Sequence, residues 1–66
     1  MATLIELTNY GDKLPLIVNM DNIIEAIGLP EGGSHIIYEI TKKGLEGFTV
    51  VEPIGKIMQL IREAQK

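Results

Sequence analysis

Turn-forming residues cut this chain into short pieces, and their spacing limits it to a set of small strands until its last stretch. Asn9, Gly11 and Asp12 mark one break, Asp21 and Asn22 a second, Pro30, Gly32 and Gly33 a third, and Gly44 and Gly47 a fourth. Glycine tolerates positive φ, and Asn and Asp side chains bond their own backbone, so each cluster turns the chain for a physical reason. Residues 3–8 alternate as a strand, with Ile5 and Leu7 on one face and Glu6 and Thr8 on the other. Residues 13–19 form a second strand, with Leu14, Leu16 and Val18 on one face and Lys13, Pro15, Ile17 and Asn19 on the other. Pro15 cannot donate to a ladder, which places this strand at an edge or makes it irregular there.

Residues 20–29 read two ways. Asn19 or Asp21 can cap a short helix that puts Ile23, Ile24 and Ile27 on one side. The same isoleucines are stiff at χ1 and suit a pleated surface. Only about eight residues separate Asp21 from the next break, a length that favours a strand over 23–29 after a tight turn at residues 20–22. Residues 35–41 form the next strand, with Ile36, Tyr38 and Ile40 on one face and Ile37 opposite. Residues 42–47, with two glycines, read as a flexible connection to a short strand over 48–51.

From Pro53 the period changes. Proline suits the first helical turn, where its missing N–H is not needed. Ile54, Ile57, Met58 and Ile61 then follow the i, i+3, i+4, i+7 spacing of a helix stripe, flanked by Leu60. Lys56, Gln59, Arg62, Glu63 and Lys66 form the wet side. Glu52 at the start and Arg62 and Lys66 at the end complement the helix dipole. Gly55 costs this helix roughly 1 kcal/mol relative to alanine. The expected architecture is a single α+β domain over residues 1–66: an antiparallel β-meander of about five strands with one C-terminal helix over 53–65, the short links favouring antiparallel neighbours.

A chain of 66 residues is marginal as a core-builder. Domains this small lean on disulfides, a metal or oligomerisation. The chain has no cysteine and one histidine, which leaves oligomerisation as the available support. A net charge of −3 has the wrong sign for a phosphate-backbone binder. No apolar run approaches the length of a membrane span, and no basic stretch followed by an apolar block marks a signal peptide. A cytoplasmic location is the default expectation.

Candidate chemistry is sparse. Glu25 and Glu39 fall on segments that pair across the turn at 30–33, and two carboxylates can do acid–base work, but no His, Cys or further acid completes a site. Ser34 and His35 are adjacent strand residues and point to opposite faces, so they are not a nucleophile and its base. The Gly32-Gly33 pair and the Gly44/Gly47 pair each precede a strand, whereas a phosphate loop needs a following helix. Tyr10, Tyr38 and Phe48 lack the basic groove of a single-strand nucleic-acid platform. The expectation is no catalytic residue, no cofactor and no metal.

Three segments carry a resemblance: "IELTN" from Ile5, "VNMDNIIEAI" from Val18 and "TVVEPIGKIMQLI" from Thr49. Together they resemble the FlbD-type family of small flagellar and swarming-motility proteins. That family has a short initial strand and turn, an Asn-x-Asp-x-Ile element, and a Val-x-Glu strand leading to a helix. The chain departs from the pattern at residues 42–47, longer than a tight Asn-Gly-type hairpin, and at Pro15. The resemblance implies this fold and a motility-accessory or mobile-element setting.

Adjacent apolar pairs such as Ile36-Ile37 and Val50-Val51 send one side chain to each face of a strand. One helix covers one face. The other face then carries Leu4, Ile17, Ile24, Ile37 and Val51, a set large enough to drive association into a homo-oligomer. The leading expectation is a non-enzymatic, self-associating protein acting through protein contacts. The alternative is a small nucleic-acid-binding regulator that uses Lys13, Lys42 and Lys43 on an assembled surface; the net charge makes nucleic acid the weaker partner.

Overall fold

The structure is a computed structural model that describes residues 3–65. Five antiparallel strands lead into one helix: β1 (Leu4–Thr8), β2 (Pro15–Asn19), a single 3₁₀ turn (Met20–Asn22), β3 (Glu25–Gly28), β4 (Ser34–Thr41), β5 (Gly44–Val50) and α1 (Ile54–Ala64). This is the small α+β fold expected. The strands divide between two sheets, β1-β2 and β3-β4-β5. The 3₁₀ turn makes the division, because it turns the chain between β2 and β3. Asn19 caps that turn, its Oδ1 accepting from the Asp21 N–H.

The first hairpin is closed by local side chains. Asn9 Oδ1 accepts from the Gly11 N–H and Asp12 Oδ1 from the Leu14 N–H, the self-bonding expected of Asx residues. Lys13 closes the loop at φ 62°, so it belongs to the turn, and the strand begins at Pro15 rather than at residue 13. The register sets Ile5 against Val18 and Leu7 against Leu16. All four face inward, and Leu7 is fully buried.

In the second sheet the connection expected over 42–47 is a correction. Thr41 pairs directly with Gly44, so only Lys42 and Lys43 span the turn, and β5 runs from Gly44 instead of residue 48. Gly44 takes a positive φ of 135° at the turn's exit, a conformation that favours glycine. Gly47 is a packing glycine within the strand: a Cβ there would stand 2.1 Å from the Ile36 carbonyl oxygen. Two glycines that read as loop are thus a turn and a close strand crossing. The ladder shifts register between Ile37 and Glu39, with Tyr38 the extra residue of a bulge.

The bulge and the reach of the core explain a further correction. Ile36, Tyr38 and Ile40 were expected to share a buried face. Ile36 is fully buried, whereas Tyr38 and Ile40 are 47% and 63% exposed. Beyond the bulge residues 42–46 are all exposed, so the hairpin end projects past the core. Leu14 is exposed too, because it lies at the other hairpin's end outside the packed region.

The core joins Ile5, Leu7, Val18, Ile36, Val50 and Ile57, with Leu16, Phe48, Leu60 and Ile61 packed on it. The helix supplies Ile57 from the centre of its stripe and lies over β1 and β3. Met58, expected in that stripe, is exposed. Glu52 lies just before the N-cap Pro53, and its carboxylate accepts from the Thr8 N–H and from Thr8 Oγ1, both at 2.9 Å. Among the described residues, no helix is long and apolar enough to cross a membrane.

Candidate interaction surface

The five residues expected on a second apolar face are not placed together. Register brings two of them close: on the outer face of β1-β2, Leu4 lies diagonally across from Ile17, and they are 54% and 66% exposed. Ile24 is exposed as well, but it precedes β3 in the other sheet, its N–H donating to the Ile37 carbonyl at 2.9 Å. Val51 is half-buried at the seam between the sheets, where its N–H donates to the Thr8 carbonyl. Ile37 is only 2% exposed and lies outside the main core cluster. The Ile36-Ile37 pair does send one residue into that core and one elsewhere, yet the chain itself covers the second. Ile37 is therefore not part of a free surface, and the contact set narrows to Leu4, Ile17 and Ile24.

The geometry adds a feature that side-chain patterning did not reveal. An open groove of about 410 Å³ is lined by Leu16, Ile17, Val18 and Asn19 on one side and by Asn22, Ile23, Tyr38 and Phe48 on the other. Successive strand residues point to opposite faces. Four consecutive residues can line one groove only if it runs along the strand's edge. The Tyr38 and Phe48 rings, 6.2 Å apart and tilted, form its far wall.

That edge carries free backbone groups. The Asn9 N–H donates to the Leu14 carbonyl, and the Met20 N–H to the Thr3 carbonyl. In an antiparallel ladder hydrogen-bonded pairs alternate with non-bonded ones. These two bonds therefore fix the pairs Leu7–Leu16 and Ile5–Val18 as hydrogen-bonded, and turn the Pro15, Ile17 and Asn19 backbones away from β1. Among the described residues no strand pairs with that side of β2. Pro15 sits where its missing N–H breaks no internal bond, which is the position proline takes on an edge.

The polar candidates are dispersed. His35 Nδ1 lies 3.1 Å from Thr49 Oγ1, its cross-strand partner, and Ser34 Oγ donates to the Glu52 carbonyl. Glu25 stands opposite Ile37, and Glu39 opposite Glu46, so Glu25 and Glu39 are not directly paired. Among the described residues, no group of His, Cys, Asp or Glu side chains is arranged to hold a metal ion. The Lys13 ammonium donates to the Tyr10 carbonyl at 2.7 Å and stands 4.2 Å from the centre of the Tyr10 ring. Comparison with protein-family models, with curated proteins and with solved structures finds no match to this chain.

Proposed function

We propose that this chain is a non-enzymatic protein that works by contact with other chains, a second copy of itself first among them. One observation carries this reading: Leu4 and Ile17 are exposed as diagonal neighbours, with Glu6 opposite Ile17, on a strand pair whose outer edge opens onto an apolar groove. Large exposed apolar residues at one place, next to unpaired backbone, are the features of an association surface. The small size of the domain adds weight, since a second copy adds burial to a core that is marginal at 66 residues. The resemblance of its segments to FlbD-type proteins gives the proposal a motility-accessory or mobile-element setting.

The nucleic-acid alternative has less support. Lys42 and Lys43 sit together at the exposed hairpin tip, but Glu39 and Glu46 oppose each other just behind them and offset their charge. Lys13 is engaged with Tyr10. The test is sedimentation of the native chain over a wide concentration range. The expected result is a mass that rises above the monomer with concentration, and a lower association constant for Leu4→Lys. A monomer at every concentration overturns the reading. Ile37→Glu is not a test of it, because Ile37 is buried and the substitution reports on folding.

A further inference from the structure

The open edge of β2 has a sequence that matches itself when reversed. Around Ile17 the chain reads Lys13, Leu14, Pro15, Leu16, Ile17, Val18, Asn19, Met20, Asp21. Turned end for end, Leu16 meets Val18, Leu14 meets Met20, and Lys13 meets Asp21. Only the pair of Pro15 with Asn19 joins unlike residues, and neither is charged. Resting on the self-association reading, we propose that two copies pair antiparallel through β2, with Ile17 opposite Ile17, to make one continuous sheet in the order β1-β2-β2-β1.

The backbone supports this register. Ile17 presents its N–H and C=O to the open edge, Pro15 presents a C=O, and Asn19 presents its N–H, its C=O being taken by the 3₁₀ turn that it caps. With Ile17 at the two-fold axis, each Ile17 N–H meets the Ile17 carbonyl of the second copy, and each Asn19 N–H meets a Pro15 carbonyl. The one bond that proline cannot make falls at the ends of the pairing, where the Asn19 carbonyl already serves the 3₁₀ turn. The usual defences of an edge strand are short length, proline, charged side chains and bulges. Five-residue β2 has Pro15 at its first position only. It has neither of the last two defences, and residues 14–20 carry no charge.

The side chains support it as well. On the outer face, Leu4 and Ile17 of one copy continue into Ile17 and Leu4 of the other as a single apolar stripe. On the inner face, the second strand lies along the groove whose far wall is Tyr38 and Phe48. Lys13 and Asp21 lie just outside the pairing, Lys13 in the turn with its ammonium on the Tyr10 carbonyl and Asp21 in the 3₁₀ turn. Opposite charges therefore flank the two ends where like charges would oppose pairing. Sliding the register by two residues brings Asp21 toward Pro15 and moves the flanking opposite charges apart. Each copy carries a net charge of −3, so an uncharged middle with opposite charges at its ends is the arrangement that lets two such chains meet. The contact is one strand wide, small next to the roughly 800 Å² per partner of a standard interface, and gives a concentration-dependent dimer.

The absence of native cysteine makes the test direct. In the proposed register two residues at position 17 have Cα atoms about 5.5 Å apart, within disulfide range. Residues at position 14 stand six positions out of register, about 20 Å apart along the strands. Both side chains are exposed, so neither single cysteine disturbs the core. Oxidation of Ile17→Cys at high concentration is expected to give a covalent dimer rapidly, and Leu14→Cys is expected to remain a monomer. A second arm reverses charge: Lys13→Asp is expected to weaken dimerisation roughly three- to tenfold, and adding Asp21→Lys to restore it. Equal cross-linking at 14 and 17, or no cross-linking at 17 while the native chain sediments as a dimer, overturns edge pairing and leaves self-association standing. A native chain that is monomeric throughout overturns both.

Discussion

The two edges of the first hairpin meet opposite fates. Along β1 the chain returns to close the edge: Val51 donates to the Thr8 carbonyl, the Glu52 carboxylate takes both the Thr8 N–H and hydroxyl, and the Tyr10 N–H reaches the Thr49 carbonyl. Along β2 nothing within the described residues returns, and Ile17 stays exposed beside a groove. Both edges belong to strands of five residues with similar alternation. The difference teaches that an edge is sealed by remote chain: Glu52 lies 44 residues from Thr8. Along β2 no described segment comes back, and the outer edge of the strand stays unpaired.

The contrast can be broken from the closed side first. Ile57 fastens the helix over the sealed half, and Ile57→Ala should lower stability by about 2–5 kcal/mol, a large share of what a domain this size has. Denaturant unfolding reads the effect; an unchanged midpoint would mean that the helix does not hold this side shut. Glu52→Ala comes next. It removes the acceptor of two Thr8 hydrogen bonds and should cost about 1–3 kcal/mol, with faster exchange of the Thr8 amide. Equal exchange of Thr8 in the variant and the native chain would remove Glu52 from the seal.

Two smaller substitutions sharpen the contrast. Gly55 sits in the helix with open space where a Cβ would go, and Gly55→Ala should raise stability by about 1 kcal/mol while leaving association unchanged. A change in the dimerisation constant would show that the helix takes part in assembly. Ile17→Lys should shift the stability of the dilute monomer by no more than about 0.5 kcal/mol, because the side chain is already in water, yet it should lower the mass seen at high concentration. A large loss of melting temperature in dilute solution would place Ile17 in the fold rather than on the surface.

Much of the framework was legible. Ile5, Leu7 and Val18 were readable as one inner face because strict alternation survives in β1 and β2. The helix from residue 54 was readable from Pro53 and the spacing of Ile54, Ile57 and Ile61. The short distance between breaks favoured a strand over 23–29 against a short helix, and the strand found is 25–28. The hairpin of β4 and β5 was not, because Gly44 and Gly47 have the composition of a loop. Gly47 is needed for a close approach to the Ile36 carbonyl, which is a fact of pairing and leaves no local mark. The bulge at Tyr38 hid the exposure of Ile40 for the same reason.

The candidate surface divides likewise. Ile17 was marked out by its place opposite Leu16 and Val18 on the strand, and Pro15 announced an edge through its missing N–H. Ile37 and Val51 were grouped with Ile17 because alternation sends one of each adjacent apolar pair to the second face, whereas burial is a property of the whole chain's path.

By itself, the sequence determined the first two strands, the C-terminal helix, the turn at residues 9–12 and the inner residues of the first strands, because these follow from φ preference, side-chain bonding to nearby backbone and a period of two or 3.6. The tertiary structure decided which edge is closed, which isoleucine is hidden, and where the groove lies. Those depend on contacts between residues tens of positions apart, such as Thr8 with Glu52 and Gly47 with Ile36. Local patterning carries the tendency of each segment, and only the folded path decides which of its two sides and two edges meets protein and which meets water.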